Sequence, residues 1–245
     1  MSERVALTLL RRLAAVKATV WRMVPRLPKR ALLFDPGRPE AEADTVLEVM
    51  RTIGPLPYVV SGVAGAVRDQ IIRFPLANPV PGRFNDGENG FGLWYAAFQP
   101  RTALAESAWH YRRRKLLAGI DPEAAEPEIR LLWSIFVDGE LVADLVSAAK
   151  REGRLTADDY GFCQGVGRLA ERYLRGGLRY QSARASGGRN LALMRERFIG
   201  EPRSEGEFSF ALAGRHEVDV VQMQAARTGP DHPRESKFRF RHEPA

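Results

Sequence analysis

Residues 81–106 read PGRFNDGENGFGLWYAAFQPRTALAE, and this stretch decides the fold. Pro81, Gly82, Asn85, Asp86 and Gly87 are turn residues. They lead into Phe91–Phe98, a short apolar run that predicts a strand buried on both faces. Pro100 suits the first turn of a helix, and TALAESAWHYRRRKLL continues it. Arg83 stands at the mouth of that strand, where its planar fork suits phosphate or carboxylate. The competing reading is an ordinary surface arginine. Glu106 falls in the second turn of the helix beside Leu104, Ala105 and Trp109, which can desolvate it. The competing reading is an i,i+4 surface contact with His110.

Downstream, LRYQSAR at 178–184 and GGRN at 187–190 place Ser182 at a strand end before a glycine turn. A strand-end serine often bonds its own backbone, so this feature also has two readings. Leu131–Val137 predicts a strand, Asp138-Gly139 a turn and Glu140–Leu145 its hairpin partner. Thr156, with Asp159 in the capping-box position, predicts a helix start. Phe162, Val166, Leu169 and Tyr173 form its inward stripe, and Gly176-Gly177 its stop. Strands are predicted at Leu178–Gln181 and Asn190–Met194, and a hairpin joins Phe208–Ala213 to His216–Gln222 across Gly214-Arg215.

Upstream, Val5, Leu9, Leu13, Val16 and Val20 share one helical face, which predicts a helix ended by Pro25 and Pro28. Residues 26–39 read as a linker. A second helix is predicted from Pro39 to Gly54, with Ala43, Val46, Leu47 and Met50 inward. Residues 1–57 are thus expected to be a basic helical extension, 58–225 the catalytic body and 226–245 a disordered tail. Helices and strands mix without βαβ alternation, which indicates an α+β class and argues against a doubly wound nucleotide fold.

Composition narrows the function. The chain has 245 residues, 44% hydrophobic and 27% charged, which excludes wholesale disorder. Cys163 is its single cysteine, so a disulfide scaffold is excluded, and four scattered histidines disfavour structural zinc. No apolar run approaches the ~20 residues of a membrane span, and no secretory signal is evident. The net charge of +7 is carried by residues 1–38, leaving the rest neutral. A basic arm on a neutral body points less to nucleic acid than a uniformly basic chain does. Phosphate-loop, dinucleotide, zinc-protease and serine-elbow motifs are absent.

Taken in order, GRFNDGENGFGLWYAAFQPRTALAE and RYQSARASGG resemble the RES domain, named for its arginine, glutamate and serine. The resemblance covers about Val67 to Gln222. It implies an ADP-ribosyltransferase-like fold of small packed β-sheets with flanking helices, here with the N-terminal helical extension added. It implies an NAD-consuming toxin of a type II toxin–antitoxin pair, acting as phosphorylase, hydrolase or ADP-ribosyltransferase. NAD is then the substrate, inorganic phosphate or water an acceptor, and no metal is needed. The implied partner is a small helical antitoxin, in a cytoplasmic complex or homo-oligomer that meets nucleic acid only through that antitoxin.

By position, Arg83, Tyr95, Glu106 and Ser182 are the implied catalytic set, with Arg73, Asn85 and Asn190 as binding residues. The extra 57 N-terminal residues and the Arg189-Asn190 pair depart from the pattern. In the implied chemistry Glu106 stabilises positive charge on the ribose. Arg83 neutralises the diphosphate or a phosphate acceptor, Tyr95 packs on substrate, and Ser182 positions it. Two other readings remain: a nucleic-acid- or partner-binding protein using the basic arm, and a RES fold without activity.

Overall fold

The computed structural model describes residues 3–27, 45, 59–60, 67–88, 90–174, 176–223 and 237–242. Helix α1 (Glu3–Leu10) precedes β1 (Leu13–Leu27) and β2 (Val59–Val60). A π-helical turn, Asp69–Arg73, runs into α2 (Phe74–Ala77), followed by β3 (Trp94–Ala97) and α3 (Pro100–Leu117). Then come β4 (Glu128–Asp144), α4 (Gly161–Tyr173), β5 (Gly177–Gln181), β6 (Arg189–Leu193), β7 (Arg203–Leu212), β8 (Glu217–Met223) and β9 (Lys237–Arg241). The class is α+β, as the element pattern predicts. The strands form one sheet, in the order β2-β1-β3-β6-β5-β4-β7-β8-β9, rather than several small ones.

Strand β1 also pairs along β4, so β1, β3, β6, β5 and β4 close a circuit. Val16, Val20, Val24, Trp94, Ile135, Leu191 and Leu193 fill its inside. Outside, α1 and α4 bury Leu178, Tyr180 and Ala192, while α3 covers Ala97, Leu132, Phe208 and Phe210. Two of these outer layers meet over β5 and β6, which is where the candidate site lies.

The expected N-terminal helical extension is corrected. Among the described residues there, 3–10 and Thr45 are helical, and 13–27 form a long strand inside the sheet instead of continuing the first helix. Val16, Val20 and Val24 recur every four residues, which fits a helix face loosely and a strand face exactly as well. The β-branched content and the full-length partner β4 settle the contest in favour of the strand. Three of the arm's described cations pair within the fold. Arg12 lies 3.6 Å from Asp144, Lys17 3.3 Å from Asp138 and Arg26 2.5 Å from Glu207.

Residues 131–145 are not a hairpin either. Gly139 adopts φ +86° within one continuous strand, and the register against β1 shifts beside it, at Val16/Lys17. Helix α4 starts at Gly161, not Thr156, whose hydroxyl instead bonds the Gly153 carbonyl at 3.1 Å. Part of the expected disordered tail, 237–241, is strand β9 paired with β8. The second predicted helix, 39–54, lies outside the described residues apart from Thr45.

Asp144 ends β4 and is only 5% exposed. It accepts from Arg179 Nη2 at 2.6 Å, Arg179 Nε at 3.2 Å and the Val146 amide at 3.2 Å. Burial works to raise its pKa, but the hydrogen bonds from Arg179 and the Val146 amide and the charges of Arg179 and Arg12 together outweigh it and hold it below the ordinary carboxylate value. A depressed folded-state pKa stabilises the protein above the unfolded value, and that stability is lost as pH falls through the folded one. Asp144→Asn should therefore lower the urea midpoint at pH 7. It should also flatten the loss of stability below about pH 4, seen in urea titrations at pH 7 and pH 3.

Candidate active site

Glu106 projects from the second turn of α3 toward β5 and β6. Its Oε1 accepts the Ser182 hydroxyl at 2.6 Å and Asn190 Nδ2 at 2.7 Å. Both bonds fall on Oε1, and among the described residues Oε2 makes no hydrogen bond. The alternative contact of Glu106 with His110 does not form. Ser182 fulfils both of its readings at once. Its Oγ accepts the amides of Arg184 and Ala185, each at 3.0 Å, while donating to Glu106.

A glycine makes this meeting possible. A Cβ at Gly188 would sit 2.7 Å from Thr102 Oγ1, in the first turn of α3. The bare backbone lets α3 close onto the β5–β6 turn. Gln99 ties the same seam, with its Oε1 accepting from Thr102 Oγ1 at 3.1 Å and from the Arg189 amide at 3.4 Å.

Asn190 is 3% exposed, and its Oδ1 is buried without a hydrogen-bond partner. An orphaned buried acceptor is costly unless a ligand satisfies it. Asn190 Oδ1 and Glu106 Oε2 together offer two acceptors to a pair of hydroxyls.

Arg83 is buried rather than on the surface, at 7% exposure. Its Nη1 donates to the carbonyls of Leu155 at 3.1 Å and Ala157 at 2.9 Å, and its guanidinium lies 4.6 Å from the Tyr160 ring centre. Burial opposes its charge, but Tyr160, Tyr180, Cys163 and Glu106 together hold its pKa above the usual value. Arg83 thus clamps segment 155–160 beside the carboxylate. Tyr180, absent from the expected set, lies under this group. Burial first, and the Glu106 charge second, push its pKa well up.

Tyr95 and Asn85 are positioning residues in this arrangement. Tyr95 Oη donates to Asn85 Oδ1 at 3.1 Å and accepts the Phe84 amide at 3.1 Å, while Asn85 Nδ2 holds the Val80 carbonyl at 2.8 Å. They brace the loop that carries Arg83. Tyr95→Phe leaves two buried partners unmatched, so it should cost about 1–3 kcal/mol. Urea unfolding measures the loss, and faster amide exchange at Phe84 would locate it.

Arg73 does not join the cluster. Its guanidinium is half-exposed and pairs with Asp69 at 2.8 Å and Glu196 at 3.1 Å, beyond the far end of β6 from Asn190. The pattern also does not reveal Trp109 and Arg184, whose guanidinium stacks 3.7 Å from the Trp109 ring centre and pairs with Asp158. A cleft of about 410 Å³ opens on the opposite face of β5 and β6, lined by Arg12, Asp144, Lys150, Arg179, Gln181 and Arg189.

The geometry defines an α+β protein with a serine- and asparagine-held carboxylate beside a buried arginine. The sequence model of the RES domain matches residues 62–213, well over half the chain. The protein belongs to the RES-domain family. A search of curated proteins found no match. Among solved structures, a chain of the crystal structure of the M. tuberculosis MbcT–MbcA toxin–antitoxin complex is similar, at 17% identity. The alignment covers 86% of this chain and 94% of that one, with a TM-score of 0.48. No helix among the described residues is long and apolar enough to cross a membrane.

Proposed function

We propose that the protein cleaves the nicotinamide–ribose bond of NAD and transfers ADP-ribose to inorganic phosphate or water. The observation that carries this reading is the Glu106 carboxylate, fixed through Oε1 by Ser182 and Asn190 with Oε2 left over. As the C1′–N bond breaks, its electron pair goes to the pyridine nitrogen and nicotinamide leaves neutral. Positive charge develops on the ribose, and a fixed carboxylate stabilises it most where no reorganisation is needed. A phosphate oxygen then bonds to C1′, or a water oxygen does so and releases a proton to solvent. In this reading Asn190 Oδ1 and Glu106 Oε2 accept ribose hydroxyls. Arg83, Tyr95 and Asn85 hold the loop over the site.

Family membership supports a role as the toxin of a cytoplasmic toxin–antitoxin pair, restrained by a small helical antitoxin. Incubating purified, antitoxin-free protein with NAD, with and without inorganic phosphate, tests the activity. Nicotinamide release that rises with phosphate indicates a phosphorylase. Release without that dependence indicates hydrolysis or transfer to protein. No release from folded protein overturns the proposal.

A further inference from the structure

Three segments converge nearly two helical turns beyond Glu106. Arg112 comes from α3, Arg184 from the turn after β5, and His242 from the residue following β9. Arg112 Nη1 donates to the Arg215 carbonyl at 2.8 Å, and the His242 amide to the His216 carbonyl at 2.8 Å. Both are thereby anchored on the β7–β8 turn. Arg184 is anchored on Trp109 and Asp158.

Each of the three keeps one buried nitrogen unused. Arg112 Nε, Arg184 Nε and His242 Nε2 are shielded from solvent and have no hydrogen-bond partner among the described residues. The Arg184 side chain is 9% exposed and His242 8%. Such nitrogens are expensive to bury unmatched. Arg184 pairs with Asp158, and Arg112 lies close enough to feel both charges. Burial, then Arg112 and Arg184, lower the His242 pKa to about 4. Burial and Arg184 likewise lower that of Arg112. Unmatched nitrogens beside two guanidiniums suit an anion with several acceptor oxygens.

We propose that Arg112, Arg184 and His242 form a subsite for a phosphoryl group beside the Glu106 carboxylate. The Arg184 amide donates to Ser182 Oγ, so an anion held by this arginine sits next to the group that orients Glu106. The role in turnover rests on the proposed NAD chemistry, but the binding does not. His242 lies outside residues 62–213, which match the family model. Two sources supply the group, the diphosphate of the dinucleotide or a free phosphate acceptor.

The test is binding to the full chain, followed by calorimetry and by the His242 ring resonances, with inorganic phosphate and ADP as separate probes. Saturable binding that moves His242 is expected, and His242→Gln and Arg112→Gln should each weaken it about tenfold or more. His242→Gln, at the end of an edge strand, guards against a misfolded Arg112 variant. Phosphate binding assigns the subsite to the acceptor, and binding of ADP alone assigns it to the dinucleotide. Neither probe moving His242, or affinities unchanged in both variants, overturns the proposal. Nicotinamide release is not among these readouts, so a protein without NAD activity can still pass, and an active one can fail.

Discussion

Glu106→Gln is expected to reduce nicotinamide release from NAD by about a thousandfold or more, with little change in stability. The substitution is nearly isosteric. The amide oxygen can still accept the Ser182 hydroxyl and Asn190 Nδ2, the two bonds that Oε1 receives. What disappears is the negative charge at the second oxygen, where a neutral NH₂ now faces the ribose. The lost interaction is with charge that exists only as the C1′–N bond breaks. The effect should therefore fall on kcat, with KM for NAD changed much less. Glu106→Ala should lose activity similarly but unfold more easily, because Asn190 would then have neither end satisfied. Chromatographic assay of nicotinamide and thermal melts of both variants separate these effects. Wild-type turnover in Glu106→Gln would remove the carboxylate from the chemistry.

Much of this site is legible in one short stretch of sequence because its determinants are local. The turn at 81–87, the strand at 94–97 and the helix from Pro100 follow in series, so spacing alone carries Glu106 to the strand end. The serine and asparagine arrive on adjacent paired strands, β5 and β6, whose turn glycines are also visible in the sequence. The β1 strand is less legible, since valines at intervals of four satisfy both periods and only a partner over a hundred residues away decides between them. Gly139 is similar: an Asp-Gly pair signals a turn, but here pairing with β1 on both sides of it makes it a bulge. The Arg112–Arg184–His242 group is illegible in principle. Its members are scattered, and their unmatched nitrogens exist only once three segments have been folded together.

Gly167→Ala is expected to destabilise the protein by about 2–3 kcal/mol and to lower the melting temperature by about 4–12 °C. A Cβ built on Gly167 would lie 1.7 Å from the Phe84 carbonyl oxygen and 2.7 Å from its carbon. Those atoms are backbone, so no rotamer change relieves the contact. Alanine favours a helix interior over glycine by about 1 kcal/mol, which only partly offsets the overlap. Helix α4 or the 82–85 loop must move apart. Gln164 Nε2, which holds the carbonyls of Gly82 at 3.2 Å and Asn85 at 3.4 Å, would be drawn away with the helix. Arg83 rides on that loop, so activity should fall together with stability. Gly161→Ala supplies the contrast on the same helix, because its Cβ would come no nearer than 3.4 Å, to the Asp159 side chain. It should leave both melting temperature and activity near wild type. Equal melting temperatures for the two variants would mean that α4 does not bear on the loop as closely as this packing requires.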